Sequence, residues 1–513
     1  MPNSPRNLGG VLLGSDMESP LQSLLEGGIL TSSAVLAVLS ESPRAKRKKR
    51  KRVKPQPRRG EPNATGAARW QIPIPENAWE EVKRYGADDP SSWAGQRFSS
   101  IYGVPKQIFD ELVEEARQHK ELAGKQYHGD GVRGPYSKPL ELKVAGVLEM
   151  CQAGLVFKTV ERLYKISIPA FERFFHNFTR LQVEHEYKKH VYYPTKQEDI
   201  NRILMRHALL GFPGIITMFD GVKIGWSGCP QADKFANIGK EGYSTKAYMF
   251  AGDACKMVHH VHGSHPGGRN DLTMAHYDEY LQAMRKGLYA DQEFDMYSGE
   301  GTDTFRESGL SALTDNGFHE WLETQYPSKL SRETWLARWS KRLESVRKPG
   351  TECIYGIIKK RFRILAVACS FMDIAQVDNL VRFLVSVHNR LQRFYGLDTL
   401  GDDVGDWLMA SVDKDLHRIE RGTSGAVPHL VNDEKLGNVT VPERTHAWLL
   451  RRKAMVTHFK VAWERNEICW LKTAAECRPD YRRKPALYAG RYRDGEEASD
   501  PDEPELEPDN DDA

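Results

Sequence analysis

Ile215-Ile216-Thr217-Met218-Phe219-Asp220-Gly221-Val222-Lys223-Ile224-Gly225-Trp226 is the stretch on which the fold turns. Gly214 precedes an apolar run that ends on a carboxylate followed by glycine. The pattern predicts a buried strand that delivers Asp220 to a sheet edge or cleft. A carboxylate is costly to bury unless it is paired or holds a cation. Taken alone, Asp220 reads more readily as a strand-end residue that starts a turn. Two acids downstream sit in similarly unusual settings and change that balance.

The first is Asp315, at the end of a short strand predicted over residues 310–314 and followed by Asn316-Gly317. The second is Glu352, which opens a helix predicted over 351–365 after the Pro349-Gly350 break in a long helix at 331–346. The three acids lie 95 and 37 positions apart in the chain. Strand-borne aspartates with a helix-borne glutamate suit a divalent-metal site for phosphoryl transfer, because Mg2+ or Mn2+ takes hard oxygen ligands and leaves room for water and phosphate. Two such ions activate the nucleophile and stabilise the leaving oxygen. At about 100° per residue, Glu352, Gly356, Lys359 and Arg363 share one helical face, opposite Ile354, Ile357, Ile358 and Leu365. Lys359 and Arg363 are therefore candidate contacts to a phosphate backbone. The rival reading is a first-turn carboxylate with a solvated basic stripe.

Other constellations are weaker. His260 and His262 alternate onto one strand face near His265 and Cys255, yet no further ligand follows at the spacing zinc motifs use. They read as polar strand and loop residues. Pro266-Gly267-Gly268-Arg269-Asn270-Asp271 is a glycine-rich turn; Asp271 reads as a reserve ligand or, with Asn270, a neighbour that would support the ligands from behind, and equally as a plain turn residue. There is no GxSxG and no GxxxxGK[ST], so serine-hydrolase and P-loop chemistries find no support.

The chain has 513 residues, 40% of them hydrophobic, and a formal net charge of only +3. That sum hides two blocks. Residues 44–59 hold eleven Lys/Arg and no acid, and residues 494–513 hold eleven Asp/Glu and no base. Such runs are solvated interaction tails. Lys46-Arg47-Lys48-Lys49-Arg50-Lys51-Arg52 reads as a nuclear localisation signal in a disordered leader. Seven cysteines, an odd count without a CxxC pair, indicate reduced thiols in an intracellular protein. No run of eighteen apolar residues exists, so no membrane span or membrane partner is expected. The apolar stretch at 29–39 lies too far in to be a signal peptide.

Upstream of the strand, helices are predicted at 105–118, 139–153, 158–164 and from the Ser167 N-cap toward His185. Helix, short turn, helix is the helix-turn-helix pattern, although three short helices also make an ordinary bundle. In the last of them Arg173, His176, Asn177, Thr179 and Arg180 are the polar residues that would face DNA, with Arg173 and Arg180 as its cationic contacts. Downstream, strands are predicted at 245–253 and 257–263, and helices at 273–286, 377–394 and 448–470.

Together these blocks resemble the PIF/Harbinger class of DDE transposases, specifically the plant-type transposon protein family. Phe219-Asp220-Gly221-Val222-Lys223-Ile224-Gly225-Trp226 with Cys229-Pro230 resembles the block of its first Asp. Gly239-Lys240-Glu241-Gly242-Tyr243, the 266–271 turn and Leu313-Thr314-Asp315-Asn316-Gly317-Phe318 follow in the family's order. Glu344-Ser345-Val346-Arg347-Lys348 and the helix from Glu352 resemble its Glu block, and His388-Asn389 and Tyr395-Gly396-Leu397-Asp398 its closing segment. Gln96-Arg97-Phe98 through Phe109 resembles its opening segment. Gly350-Thr351 stands where the family has Asp-Val, and Tyr355 where it has Phe; neither change touches the three acids.

The resemblance covers roughly residues 95–400. It implies an RNase H-like catalytic domain with an N-terminal helix-turn-helix and metal-dependent cutting and joining of DNA. It also often implies a separate Myb-like partner protein. It gives catalytic and metal-binding roles to Asp220, Asp315 and Glu352. The expected organisation is an α/β protein in five parts. A disordered leader covers 1–77, and an all-α helix-turn-helix region 78–204. An RNase H-like domain with a mixed sheet covers 205–400, followed by an extension of unknown role at 401–490 and an acidic tail at 491–513. A nuclear, homo-oligomeric enzyme acting on DNA is expected. The rivals are a domesticated DNA-binding regulator and a protein that recruits a partner to the nucleus.

Overall fold

A computed structural model describes residues 88–123, 138–299, 303–328, 333–410 and 443–478. They belong to one compact unit, Gly66–Ala513. The leader, the basic run at 44–59 and the acidic tail lie outside the described residues.

The first helices are α1 (Trp93–Tyr102), α2 (Lys106–Arg117), α3 (Leu140–Ala153), α4 (Phe157–Tyr164), α5 (Ile168–His185) and α6 (Gln197–Leu209). The strands β1 (Ile215–Gly225), β2 (Thr245–Gly252) and β3 (Val258–Pro266) follow, then α7 (Asp271–Tyr277) and α8 (Glu279–Arg285). A hairpin of β4 (Glu293–Tyr297) and β5 (Thr304–Ser308) precedes β6 (Ser311–Leu313) and β7 (Thr324–Gln325). Helices α9 (Thr334–Gly350), α10 (Glu352–Arg361) and α11 (Ile374–Phe394) come next, then β8 (Trp407–Met409), α12 (Glu443–Glu464) and β9 (Cys469–Leu471).

β1 is central because its first five residues are apolar or hydroxylic and buried, and three of them are β-branched. The main sheet has the order β3-β2-β1-β6-β7. β1 runs antiparallel to β2, and β2 antiparallel to β3, whereas β6 and β7 add in parallel. The chain is therefore a mixed α/β protein with a mixed sheet flanked by helices.

Three apolar clusters hold it together. On one sheet face Val222, Ile224, Trp226, Tyr248 and Phe250 share a core with residues of α1–α5, α10 and α11. On the other, Phe219, Ala247, Met249 and Ala251 pack with α6, α7 and α8. The third joins Ile215, Met218 and Leu313 to Trp339, Leu343 and Val346 of α9 and to Met455, Phe459 and Trp463 of α12. Each large apolar side chain so buried contributes about 1.5–3 kcal/mol. The segment at 443–478, to which the sequence assigns no role, thus completes a core.

The helices expected at 139–185 form, and Gly154, at φ +68°, closes α3 in the left-handed conformation that favours glycine. They do not have a core of their own. Phe171, Phe175 and Phe178 of α5 are fully buried, and Phe178 meets Phe383 of α11 edge-on at 5.4 Å. Other elements differ from expectation for local reasons. β1 continues past Asp220 because β2 stays paired with it as far as Gly225. The helix expected at 273–286 splits at Asp278, whose side chain caps a second start by accepting from the Leu281 N–H. α9 runs through Pro349, and the break falls at Thr351, with φ −137° and ψ −77°. α10 stops at Arg361 and Arg363 opens a one-turn 3-10 segment, so the face predicted to carry Lys359 and Arg363 together is interrupted. The helix expected at 448–470 ends at Glu464.

Candidate active site

Register brings the two aspartates toward each other. Met218 of β1 pairs in parallel with Leu313, the last residue of β6; Asp220 lies two positions farther along β1, and Asp315 two positions past the end of β6. The Asp315 charge reaches Asp220 and raises its pKa, so the two carboxylates are neighbours. Beyond Met218 the β6 side of β1 carries no further ladder pairs, while the β2 side remains bonded, with Asp220 opposite Phe250. Asp220 is thus fixed on one edge and open on the other.

The third acid arrives through a close backbone approach. At Gly252 of β2 an added Cβ would stand 2.6 Å from the Gly350 oxygen and 2.7 Å from Ile354 Cδ1. Glycine at 252 therefore lets the α9–α10 junction settle onto the sheet, and Glu352 is the first residue after that junction. Tyr355, one turn on, donates from its hydroxyl to the Asp220 carbonyl at 2.6 Å.

One cation organises the cluster. The Arg347 side chain is only 5% exposed. Its Nη1 lies 2.9 Å from Asp220 Oδ2, and its Nη2 lies 3.1 Å from Glu344 Oε2 and 3.2 Å from Glu352 Oε1. Since one planar guanidinium bridges Asp220 and Glu352, their bonded oxygens lie within about 8 Å of each other. Burial works against the Arg347 charge, but Asp220 and Glu344 outweigh it and hold its pKa above the usual value. Burial pushes the Asp220 carboxyl up to about 6, and the Asp315 charge adds to the rise, against the pull of Arg347 and the Gly221 N–H.

Asp271 joins the group beside Asp315. A Cβ on Gly221 would collide with Asp271 Oδ1, so glycine after Asp220 makes room for it. Burial and the Asp315 charge raise the Asp271 pKa, while Lys240, Lys223 and Arg347 oppose the rise. Asn270 caps α7, accepting from the Thr273 N–H at 2.9 Å, one residue before Asp271.

The expected DNA contacts fare unevenly. Lys359 is turned inward, donating to the Lys223 carbonyl at 2.8 Å, and burial lowers its pKa. Arg363 is exposed but off the α10 helix. Arg173 is exposed on α5, whereas Arg180 is engaged by Glu121 at 2.8 Å and Glu184 at 2.7 Å. Thr179 is buried and donates to the Phe175 carbonyl; His176 packs its ring against Phe371 at 4.8 Å.

Sequence reasoning missed Arg347, although it lies in a quoted block. It sits five positions before Glu352, across the helix break, where no helical spacing connects the two. It also missed Lys240, an exposed cation of the Gly239–Gly242 loop that acts on Asp271.

Residues 187–393 match a family model described as plant transposon protein. The matched span contains Asp220, Asp271, Asp315, Arg347 and Glu352, and begins after α5. The match supports a transposon-derived protein. No curated protein matches the chain, and no solved structure does. Among the described residues, no helix is long and apolar enough to cross a membrane.

Proposed function

We propose that the protein is a metal-dependent DNA-cleaving and strand-joining enzyme of the PIF/Harbinger DDE transposase class, with an RNase H-like catalytic fold. The observation that carries the reading is the nearness of Asp220 to Asp315, just past the end of the paired strand β6, and its link to Glu352 through Arg347. The donors are carboxylate oxygens, the ligand type that Mg2+ and Mn2+ prefer. Asp220 is held above its ordinary pKa by burial and by its neighbour's charge, which a cation would relieve. On that chemistry the residues fit a divalent ion, and Asp220, Asp315 and Glu352 would hold it. When bound, such an ion polarises a scissile phosphate and generates the attacking hydroxide.

The chain's own residues do the rest. Tyr355 fixes the backbone at Asp220. Arg347 neutralises Asp220 and Glu352 until the site is filled, and Asp271 extends the ring of acids. Lys240 and Arg363 are exposed cations for the DNA backbone, and Arg173 offers a further phosphate contact on α5. In this proposal α3–α5 hold DNA by charge and shape, since Thr179 is buried, His176 packs on Phe371 and Arg180 is held by Glu121 and Glu184, leaving Arg173 exposed. Nuclear entry through residues 46–52, a Myb-like DNA-binding partner and self-association belong to the same proposal.

The test is cleavage of duplex DNA by the full chain with Mg2+ or Mn2+. Cleavage should collapse in Asp220→Asn, Asp315→Asn and Glu352→Gln while DNA binding persists. The Arg347 bridge favours one rival, a domesticated DNA-binding regulator that keeps the acids as a structural ion-pair network. Binding without cleavage in the wild-type chain would select that rival.

A further inference from the structure

We propose that His260, His262, Asp278 and Glu279 form a second metal site, for a transition-metal dication of the Zn2+ type, separate from the acid cluster. The sequence supplies two imidazoles on β3 but no further ligand nearby in the chain. The fold supplies the missing half from the α7–α8 junction. His260 and His262 pair with Ala251 and Met249 of β2, so both point to the sheet face covered by α7 and α8. There His260 Nε2 stands 3.3 Å from Glu279 Oε2 and 3.7 Å from Asp278 Oδ2, and His262 Nδ1 contacts the same Glu279 oxygen. The ligand atoms of His260, His262 and Glu279 all lie within 4.8 Å of one another. Ligands at about 2.0–2.1 Å around a tetrahedral zinc are spaced roughly 3.3 Å apart, and the His260–Glu279 and His260–Asp278 separations of 3.3 and 3.7 Å lie near that spacing.

Asp278 provides an independent pointer. Its side chain is 0% exposed. Oδ1 is satisfied by the Leu281 N–H at 2.8 Å, but Oδ2 has no hydrogen-bond partner among the described residues and faces His260. A buried carboxylate oxygen without a donor is costly, and a cation removes that cost. Two neutral imidazoles and two carboxylates also balance a 2+ ion in charge. Mixed nitrogen and oxygen donors favour zinc-type ions over Mg2+, the reverse of the all-oxygen cluster around Asp220.

The ion would act as a clip. β3 is the edge strand of the main sheet, and Asp271 is the first residue of α7. Tying β3 to the α7–α8 junction would hold the segment that presents Asp271 beside Asp315.

The experiment uses the full chain, purified without a histidine tag, loaded with Zn2+ and dialysed, with zinc measured by mass spectrometry. Co2+ loading provides a visible absorption readout of tetrahedral coordination. About one tightly held zinc per chain is expected. It should be lost in the His260→Gln/His262→Gln double variant and kept in Asp220→Asn/Asp315→Asn, which separates this site from the acid cluster. If the double variant fails to fold, Asp278→Asn decides, since its amide oxygen still caps Leu281. Its zinc affinity should fall roughly tenfold or more. A wild-type chain that retains no zinc, or zinc content unchanged by these substitutions, overturns the proposal.

Discussion

Replacing Asp220 by asparagine should make the protein more stable at neutral pH while abolishing the proposed DNA cleavage. Burial and the Asp315 charge hold the Asp220 carboxyl at about 6, against an ordinary value of 3.8. A folded pKa above the unfolded one means that the folded state holds its proton more tightly. The unfavourable contribution is therefore absent below about pH 4, grows as pH rises from 4 to 6, and is complete above 6. At 1.36 kcal/mol per pH unit the difference amounts to about 3 kcal/mol. The Asp220 side chain is only 14% exposed, so solvent screening reduces this little. Asparagine imitates the protonated acid in shape and charge. Arg347 is not stranded by the change, because Glu344 and Glu352 still flank it. For a folded unit of this size, 3 kcal/mol corresponds to a rise of about 3–6 °C in melting midpoint. Thermal unfolding of both proteins in EDTA at pH 7.5 and at pH 4 measures it. The two curves should separate at the higher pH and converge at the lower, and added Mg2+ should narrow the gap by stabilising the wild type alone. Equal midpoints at pH 7.5, or a less stable variant, would refute the electrostatic account of the cluster.

Four further outcomes are expected. Asp315→Asn and Glu352→Gln should each lower metal-dependent cleavage by roughly 10³-fold with duplex binding retained, and wild-type rates in either would remove that acid from the site. Gly252→Ala should destabilise the fold by about 1–3 kcal/mol, because its methyl meets the backbone of the α9–α10 junction; chemical denaturation measures this, and an unchanged midpoint would show that the junction can retreat. Arg173→Ala should weaken binding evenly across DNA sequences and reduce the slope of log affinity against log salt by about one, whereas a sequence-selective loss would point to groove reading. Deleting residues 44–59 should move a tagged protein out of the nucleus by microscopy, and undiminished accumulation would place the signal elsewhere.

Much of this architecture could be read from local pattern. The apolar run at 215–219 announces the central strand, and the Ser167 N-cap the helix that runs toward His185. The acids stood out because each broke a pattern: a charge closing an apolar strand, or a glutamate following a helix break. What stayed illegible depends on contacts between distant parts of the chain. The extension of β1 past Asp220 is set by β2, and the role of Gly252 by a backbone 98 positions away at Gly350. Arg347 looks like one more cation on a basic helix until the sheet places Asp220 against it. Lys359 reads from helical phase as a candidate phosphate contact, and only the fold shows its ammonium donating to the Lys223 carbonyl.

The apolar cluster that runs from Phe98 through Val222 and Phe250 to Leu391 has a consequence for descent. Helices before the sheet and helices after it fill the same interior, so neither can be exchanged by recombination as a self-sufficient cassette. A crossover between α5 and β1 would join surfaces shaped for different companions. Lineages carrying this architecture are thus expected to inherit α1–α5 and the sheet together, with novelty entering at the ends of the chain.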